Sequence, residues 1–165
     1  MNSVVSVVKV GISDLDICKP PQTISTAGLG SCVGLVLYEE RKKICGLVHV
    51  MLPDSTLSRT PHFKPGKFAD TGIAHLIKLL EEQGCITSRL KAKFAGGAQM
   101  FKIQSSNRLL QIGSRNVEAV EKILNQYRIP IIASDVGGNK GRTIEFDPET
   151  SKLKIRTIQE GIKYI

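Results

Sequence analysis

A cysteine and a histidine in residues 26–55 have the types and the spacing of a nucleophile and its base. The stretch reads TAGLGSCVGLVLYEERKKICGLVHVMLPDS, with Cys32 after a glycine-rich turn and His49 on the second of two apolar runs. If the two runs form a β-hairpin, directly opposed residues have Cβ atoms about 4.5–5.5 Å apart. At that distance an imidazole can take a proton from a thiol, and the pair can carry out acyl transfer.

The register of this hairpin decides whether the two side chains meet. Pairing residues 33–38 with residues 43–48, around a turn at residues 39–42, places Cys32 opposite His49 and Val36 opposite Cys45. A shift by one residue would put Cys32 and His49 on opposite faces, because side chains alternate along a strand. The sequence does not fix the register, and we adopt this one as our prediction.

The turn before Cys32 would complete such a site. Glycines at positions 28, 30 and 34 tolerate backbone angles that other residues avoid, and they leave space for a substrate. Successive N–H groups in a turn can stabilise an oxyanion, and we name the backbone of Gly30, Ser31 and Cys32 as the candidate oxyanion turn. Beside a protonated His49, the pKa of Cys32 would fall from about 8.5 to about 3.5–7.5, giving a thiolate at neutral pH.

The same residues also have a structural interpretation, in which Cys32 is a buried thiol at the start of a strand and His49 is a hydrogen-bonded core residue. GLGSCVG does not match a dinucleotide fingerprint, because its last glycine falls one position late and a hairpin follows. GGNKGRT, at residues 137–143, does not match a Walker loop. His62 and His75 are typical of solvated positions, and the three histidines lack metal-ligand spacing.

Composition indicates an ordinary globular domain. The 165 residues are 41% hydrophobic and 23% charged, and we predict one domain over residues 1–165. The four cysteines include no C-x-x-C pair, which argues against zinc-ribbon and thioredoxin-like sites, and we expect free thiols. No apolar run is long enough to span a membrane and the N-terminus does not resemble a signal peptide, so we expect a cytoplasmic protein.

The net charge of +8 raises the question of a nucleic-acid partner. Lysine and arginine are scattered along the chain, aromatic residues are only 5%, and no nucleic-acid-binding motif is present. An acidic protein partner is therefore the better explanation of the charge.

Hydrophobic periodicity predicts strands that lead, two helices that interrupt, and strands that close the chain. The first helix has its apolar stripe at residues 69, 73, 76, 77 and 80; the second begins near Ser114 as N-cap, with its stripe at residues 117, 120, 123, 124 and 127. The predicted strands are residues 4–10, 23–26, 33–38, 44–51, 90–95, 129–133, 143–146 and 153–158. This order indicates an α+β fold (an α/β sandwich) of mostly antiparallel strands with two main amphipathic helices.

Several longer motifs resemble a known family. TxGLGSCV and HVMLPDS are followed in order by KFADTGIAHLI, AGGAQMF, IGSRNVEAV and DVGGNKGRTIEFDPET. From about Gly11 onward the chain resembles the CheD family of bacterial chemotaxis, the chemoreceptor glutamine deamidases. The resemblance implies a sandwich fold similar to the catalytic domain of cytotoxic necrotizing factor toxins.

The resemblance also implies a catalytic triad of Cys32, His49 and Thr26, with Thr26 orienting the imidazole. The residues alone do not favour Thr26 over Ser25 or Ser31. The implied activity is that of a protein-glutamine glutaminase, which needs no metal or cofactor. It would convert glutamine side chains to glutamate through a thioester, with release of ammonia, and would also hydrolyse glutamyl methyl esters.

The implied substrate is the cytoplasmic helical domain of methyl-accepting chemoreceptors, and the implied role is chemotactic adaptation. The implied regulatory partner is a CheC-type phosphatase that covers the active site; neither nucleic acid nor membrane insertion is implied.

Two other classes of function remain open. A non-catalytic adaptor would tolerate loss of the thiol, and a cysteine protease would need a cleft that admits an extended chain.

Overall fold

The computed structural model describes residues 6–100 and 111–165, which form ten strands and two helices. The helices are α1 (Ala69–Glu82) and α2 (Ile112–Gln126). The strands are β1 (Val7–Lys9), β2 (Leu15–Cys18), β3 (Thr23–Leu29), β4 (Val33–Glu39), β5 (Ile44–Val50), β6 (Lys91–Gly96), β7 (Ile131–Val136), β8 (Arg142–Asp147), β9 (Lys152–Thr157) and β10 (Gly161–Tyr164).

The strands form two five-stranded sheets, with orders β1-β3-β8-β9-β10 and β2-β5-β4-β6-β7. Of the pairs in these sheets, β1 with β3 and β6 with β7 are parallel, and the others are antiparallel. The predicted α+β class, with mostly antiparallel strands and two helices, is confirmed. No helix in the described ranges is long and apolar enough to cross a membrane.

The second sheet is the middle layer of the molecule. On β4, Leu35 and Leu37 pack with apolar residues of α1 and α2, whereas Val36 and Tyr38 pack with residues of the first sheet such as Phe146. Every residue of β4 is buried, because both faces of the strand are covered. Its nearly continuous apolar sequence is the expected pattern for such a strand.

The first helix forms as its sequence predicts, and all five residues of its apolar stripe are buried. The second begins at Ile112, with Gln111 as N-cap and no side-chain cap, so the predicted start near Ser114 is wrong. The first turn of α2 packs closely on the Gly97–Ala98 segment, because a Cβ at Gly113 would collide with the carbonyl oxygens of both residues. Ser114 therefore lies within the first turn of the helix and not at its cap.

The β4–β5 hairpin forms, but its predicted register is wrong. Gly34 lies opposite His49, and Tyr38 lies opposite Cys45. The last pair before the turn is Glu39 with Ile44, where the prediction has Tyr38 with Lys43, so the four-residue turn occupies residues 40–43 and not 39–42. The shifted turn places the buried Glu39 where its Oε1 accepts a hydrogen bond from the backbone N–H of Ile86 at 3.0 Å.

The error leaves the faces of the hairpin unchanged. His49 lies opposite Gly34 and not opposite Cys32, so the register is shifted by two residues. A shift of two residues keeps every side chain on the face where it was predicted. Cys32 and His49 therefore lie on the same face, one diagonal step apart. At such a step Cα atoms are about 7–8 Å apart and Cβ atoms somewhat closer.

Two edge strands, β2 and β10, are absent from the sequence prediction because both are short and partly polar. The remaining predicted strands form with bounds shifted by a few residues. Residues 4 and 5 of the first predicted strand lie outside the described residues.

Candidate active site

A hydrogen bond between the two sheets joins Thr26 on β3 to His49 on β5. Thr26 Oγ1 lies 2.7 Å from His49 Nδ1 and 2.6 Å from the carbonyl oxygen of Val10. A carbonyl oxygen only accepts, so the single hydroxyl hydrogen of Thr26 is donated to Val10. Thr26 must then accept from an Nδ1–H of His49, and this fixes the tautomer of the neutral imidazole.

The other ring nitrogen of His49 is thereby left with its lone pair. Nε2 is buried and has no hydrogen-bond partner within residues 6–100 and 111–165. Burial also lowers the pKa of His49, so the ring is neutral at neutral pH. The arrangement supplies an oriented base on the face of the sheet that also carries Cys32.

Gly34 makes room for this contact. It lies directly opposite His49, and a Cβ at this position would be 2.7 Å from Ile144 Cδ1 and 3.3 Å from Thr26 Cγ2. A larger residue would therefore press on the threonine that orients the ring. Glycine is required here because it has no side chain, and not because of its backbone freedom.

Cys32 lies in the bend between β3 and β4 and is 8% exposed. Among the described residues, no hydrogen bond joins its Sγ to His49. Burial raises the pKa of the Cys32 thiol, and a hydrogen bond from its own backbone N–H opposes this only in part. Both shifts favour a neutral thiol beside a neutral imidazole, whereas the sequence analysis expects a thiolate.

The backbone around Cys32 is held by the Gly96-Gly97 pair. The N–H of Gly97 donates to the carbonyl of Cys32 at 2.8 Å, and the N–H of Ala98 donates to the carbonyl of Gly30 at 2.9 Å. Gly96 has a φ of 121° and a Cβ there would collide with the Cys32 carbonyl, so only glycine fits. The bend is therefore fixed by backbone contacts as well as by its own sequence.

Of the candidate oxyanion donors, the N–H of Gly30 is already used, because it donates to the carbonyl of Gly28 at 3.1 Å. The N–H of Cys32 lies beside its own Sγ, as its effect on the thiol pKa indicates. The N–H groups of Ser31 and Cys32 stay the predicted oxyanion donors, and that of Cys32 would have to turn from its own Sγ to the substrate oxygen.

The other titratable residues that the sequence singled out lie apart from this site. Cys45 is fully buried, with its Sγ 3.4 Å from that of Cys18. His62 is exposed and His75 is half-buried on α1. Within the described residues, no group of three or more His, Cys, Asp or Glu side chains could hold a metal ion.

Sequence comparison shows which known proteins this chain is similar to. The family model described as CheD chemotactic sensory transduction matches residues 51–157. The chemoreceptor glutamine deamidase CheD of Halalkalibacterium halodurans is 56% identical over 159 residues, which cover 96% of this chain and 98% of the relative. The proteins of the same name from Bacillus subtilis (55% identity; 96% of each chain) and Bacillus licheniformis (53% identity; 97% of this chain, 95% of the relative) are similar over comparable lengths. The chain belongs to the CheD family.

Proposed function

We propose that this protein is an amidohydrolase that deamidates glutamine side chains of bacterial chemoreceptors, with Cys32 as the nucleophile, His49 as the base and Thr26 as the residue that orients it. The activity is that which the names of its relatives give them. The observation that carries the residue roles is the 2.7 Å contact between Thr26 and His49 Nδ1. It leaves Nε2 as the lone-pair nitrogen on the face that carries Cys32.

The first chemical step forms a bond between Cys32 Sγ and the side-chain carbonyl carbon of glutamine. The thiol is neutral at rest, because burial raises its pKa and lowers that of His49. Nε2 therefore takes the proton as the S–C bond forms, which is general-base catalysis. The N–H groups of Ser31 and Cys32 stabilise the negative charge that develops on the carbonyl oxygen.

The second step releases ammonia. The Nε2–H of protonated His49 donates its proton to the amide nitrogen, the C–N bond breaks, and a thioester on Cys32 remains. Water then attacks the thioester while Nε2 accepts its proton, and glutamate and the free thiol are formed. A glutamyl methyl ester would form the same thioester, with methanol as the leaving group.

Thr26 acts throughout as a hydrogen-bond acceptor for Nδ1–H. Its hydroxyl is neutral, so it stabilises a protonated imidazole less than a carboxylate would. Its contribution is therefore orientation and choice of tautomer. The second acceptor, the carbonyl of Val10, holds the hydroxyl hydrogen away from the ring.

The burial of the two reacting groups favours a side chain over a main chain as substrate. Cys32 is 8% exposed and His49 is 1% exposed. A slender carboxamide that projects from a helix needs little access to such buried groups, whereas a protease must admit an extended chain on both sides of its scissile bond. The net charge of +8 suits an acidic protein surface.

The low exposure of Cys32 also supports regulation by a covering partner. Any protein seated over Cys32 would exclude the receptor glutamine. We assign this role to a CheC-type phosphatase, as the family resemblance implies, and we place the reaction in chemotactic adaptation, because each deamidation adds a negative charge to the receptor.

Mass spectrometry of a purified receptor cytoplasmic fragment tests the activity. We expect conversion of specific glutamines to glutamate by the wild type and none by Cys32→Ala. The same substitution at Cys85, a buried cysteine on the helix side of the middle sheet, is the matched control and should keep activity. An unchanged fragment would favour a non-catalytic adaptor, and a cleaved chain would favour a protease.

A further inference from the structure

A fully buried asparagine lies on the apolar stripe of α2. Asn116 precedes Val120 and Leu124 by one and two helical turns, and all three are 0% exposed. Helices seldom place an amide at such a position unless it is hydrogen-bonded. The partners of Asn116 lie in the candidate active site.

The amide of Asn116 joins the cysteine turn to the histidine strand. Its Nδ2 donates to the carbonyl of Ser31 at 2.9 Å and to the carbonyl of Met51 at 3.0 Å. Both partners only accept, so the amide orientation is fixed and both Nδ2 hydrogens are used. Its Oδ1 is buried without a partner in the described part of the chain, which costs free energy. The fold tolerates this cost to hold two carbonyls.

The contact with Ser31 has a direct consequence for Cys32. The carbonyl of Ser31 and the N–H of Cys32 belong to one planar trans peptide group, in which they point in opposite directions. Holding the carbonyl against Asn116 therefore sets the direction of the Cys32 N–H. The next carbonyl, that of Cys32, is held by the N–H of Gly97. The peptide groups on both sides of the nucleophile are thus fixed.

The contact with Met51 fixes the position of the base relative to this turn. Met51 follows His49 by two residues, immediately after β5 ends. One amide therefore spans the loop that carries the nucleophile and the strand that carries the base. The two belong to different elements, and Asn116 ties both to α2.

We propose that Asn116 is a positioning residue for deamidation, which aims the Cys32 N–H at the oxyanion and holds the Cys32 turn against the end of β5. This inference rests on the proposed function. Asn116 is fully buried, so it acts through the backbone of Ser31 and Met51 and does not touch the substrate. Loss of its donors should therefore lower kcat and leave KM nearly unchanged.

The test compares Asn116→Leu, which keeps a similar size but removes both donors, and Asn116→Ala with the wild type. We expect kcat for receptor glutamine to fall by about 100- to 1,000-fold, the usual effect of losing one oxyanion donor. The limiting rate of Cys32 alkylation by iodoacetamide at alkaline pH should change by only a few-fold, because alkylation develops no oxyanion.

Val120→Ala is the matched control, since it truncates a buried residue one turn further along the same helix. It should destabilise the fold without a comparable loss of kcat when both variants are assayed well below their melting temperatures. If the Asn116 variants and Val120→Ala lose kcat to the same extent, or if alkylation falls in parallel with kcat, the inference is wrong and Asn116 is only a helix anchor.

A second readout separates this inference from the proposed function. Amide hydrogen exchange at Cys32 should be faster in Asn116→Leu than in Val120→Ala. Equal exchange rates in the two variants would refute the positioning role of Asn116, whatever their activity. A wild type that fails to deamidate receptor fragments would instead refute the proposed function and, with it, the catalytic role of Asn116.

Discussion

Replacing Gly34 by alanine should lower kcat more strongly than it lowers the stability of the fold, because the added methyl group disturbs the orientation of His49. In Gly34→Ala the new Cβ would lie 2.7 Å from Ile144 Cδ1, 3.1 Å from Leu29 Cδ1 and 3.3 Å from Thr26 Cγ2. Overpacking of this kind costs about 1–3 kcal/mol. Replacing glycine within a strand returns about 0.5–1 kcal/mol, because the unfolded chain loses freedom. We therefore expect a net loss of about 1 kcal/mol.

The effect on activity should be larger, because the same methyl group presses on Thr26. A movement of a few tenths of an ångström would strain the 2.7 Å contact between Thr26 and His49 Nδ1. Since a misplacement of about 1 Å can cost about 100-fold in rate, we expect kcat to fall by about 10-fold or more. The melting temperature should fall by only about 2–4 °C.

The assay is deamidation of a receptor fragment, measured together with thermal melts. Gly141→Ala is the matched control: a Cβ there meets nothing closer than 3.5 Å, so its kcat should be unchanged. In the double variant Gly34→Ala/Ile144→Val the atom of closest contact is removed, and both stability and kcat should partly recover. Full activity in Gly34→Ala, or a double variant no better than the single one, would refute the reasoning.

Four further predictions concern the same site. Thr26→Val, which keeps shape but removes the acceptor of Nδ1–H, should lower kcat by about 10- to 100-fold, whereas Thr26→Ser should keep most of it; equal rates in both would remove Thr26 from the mechanism. Cys32→Ala should abolish turnover at little cost in stability. Cys45→Ser should keep turnover, but its free energy of unfolding, followed by thermal melts, should fall by about 1–3 kcal/mol because the serine hydroxyl is buried. The opposite pattern would mean that the wrong thiol is named. Because burial raises the pKa of Cys32 and lowers that of His49, iodoacetamide labelling should keep rising with pH through and beyond the ordinary thiol range; a plateau already reached near neutrality would reveal a preformed ion pair. Finally, a CheC-type phosphatase should inhibit deamidation, and added receptor should relieve the inhibition; purely noncompetitive kinetics would place its binding surface elsewhere.

The sequence predicts the site's strands and faces better than its register. β-branched residues mark β4 and β5, and their two-residue period puts Cys32 and His49 on one face under either register. The observed register buries Glu39 at the end of β4, where its Oε1 accepts a hydrogen bond from the distant Ile86 N–H and its Oε2 has no partner among the described residues. No local propensity contains that information.

Asn116 shows a signal that the sequence carries but that is easily overlooked. It continues the apolar stripe of Val120 and Leu124 at a spacing of four residues, and a polar residue on such a stripe indicates a buried hydrogen-bonded group. Its partners are two backbone carbonyls, from the bend before β4 and from the end of β5. Carbonyls leave no trace in residue types, so only the fold reveals what the asparagine holds.

The ring and the hydroxyl that orients it belong to different sheets of the sandwich. Each sheet keeps its own backbone ladder when the space between them widens, whereas the Thr26–His49 contact depends on that space alone. Heat or mild denaturant that loosens the two layers would therefore disorder the imidazole while far-UV circular dichroism still reports intact strands. The deamidation rate therefore reports on the packing between the two sheets. It should fall at a lower temperature or denaturant concentration than the one at which the strands unfold.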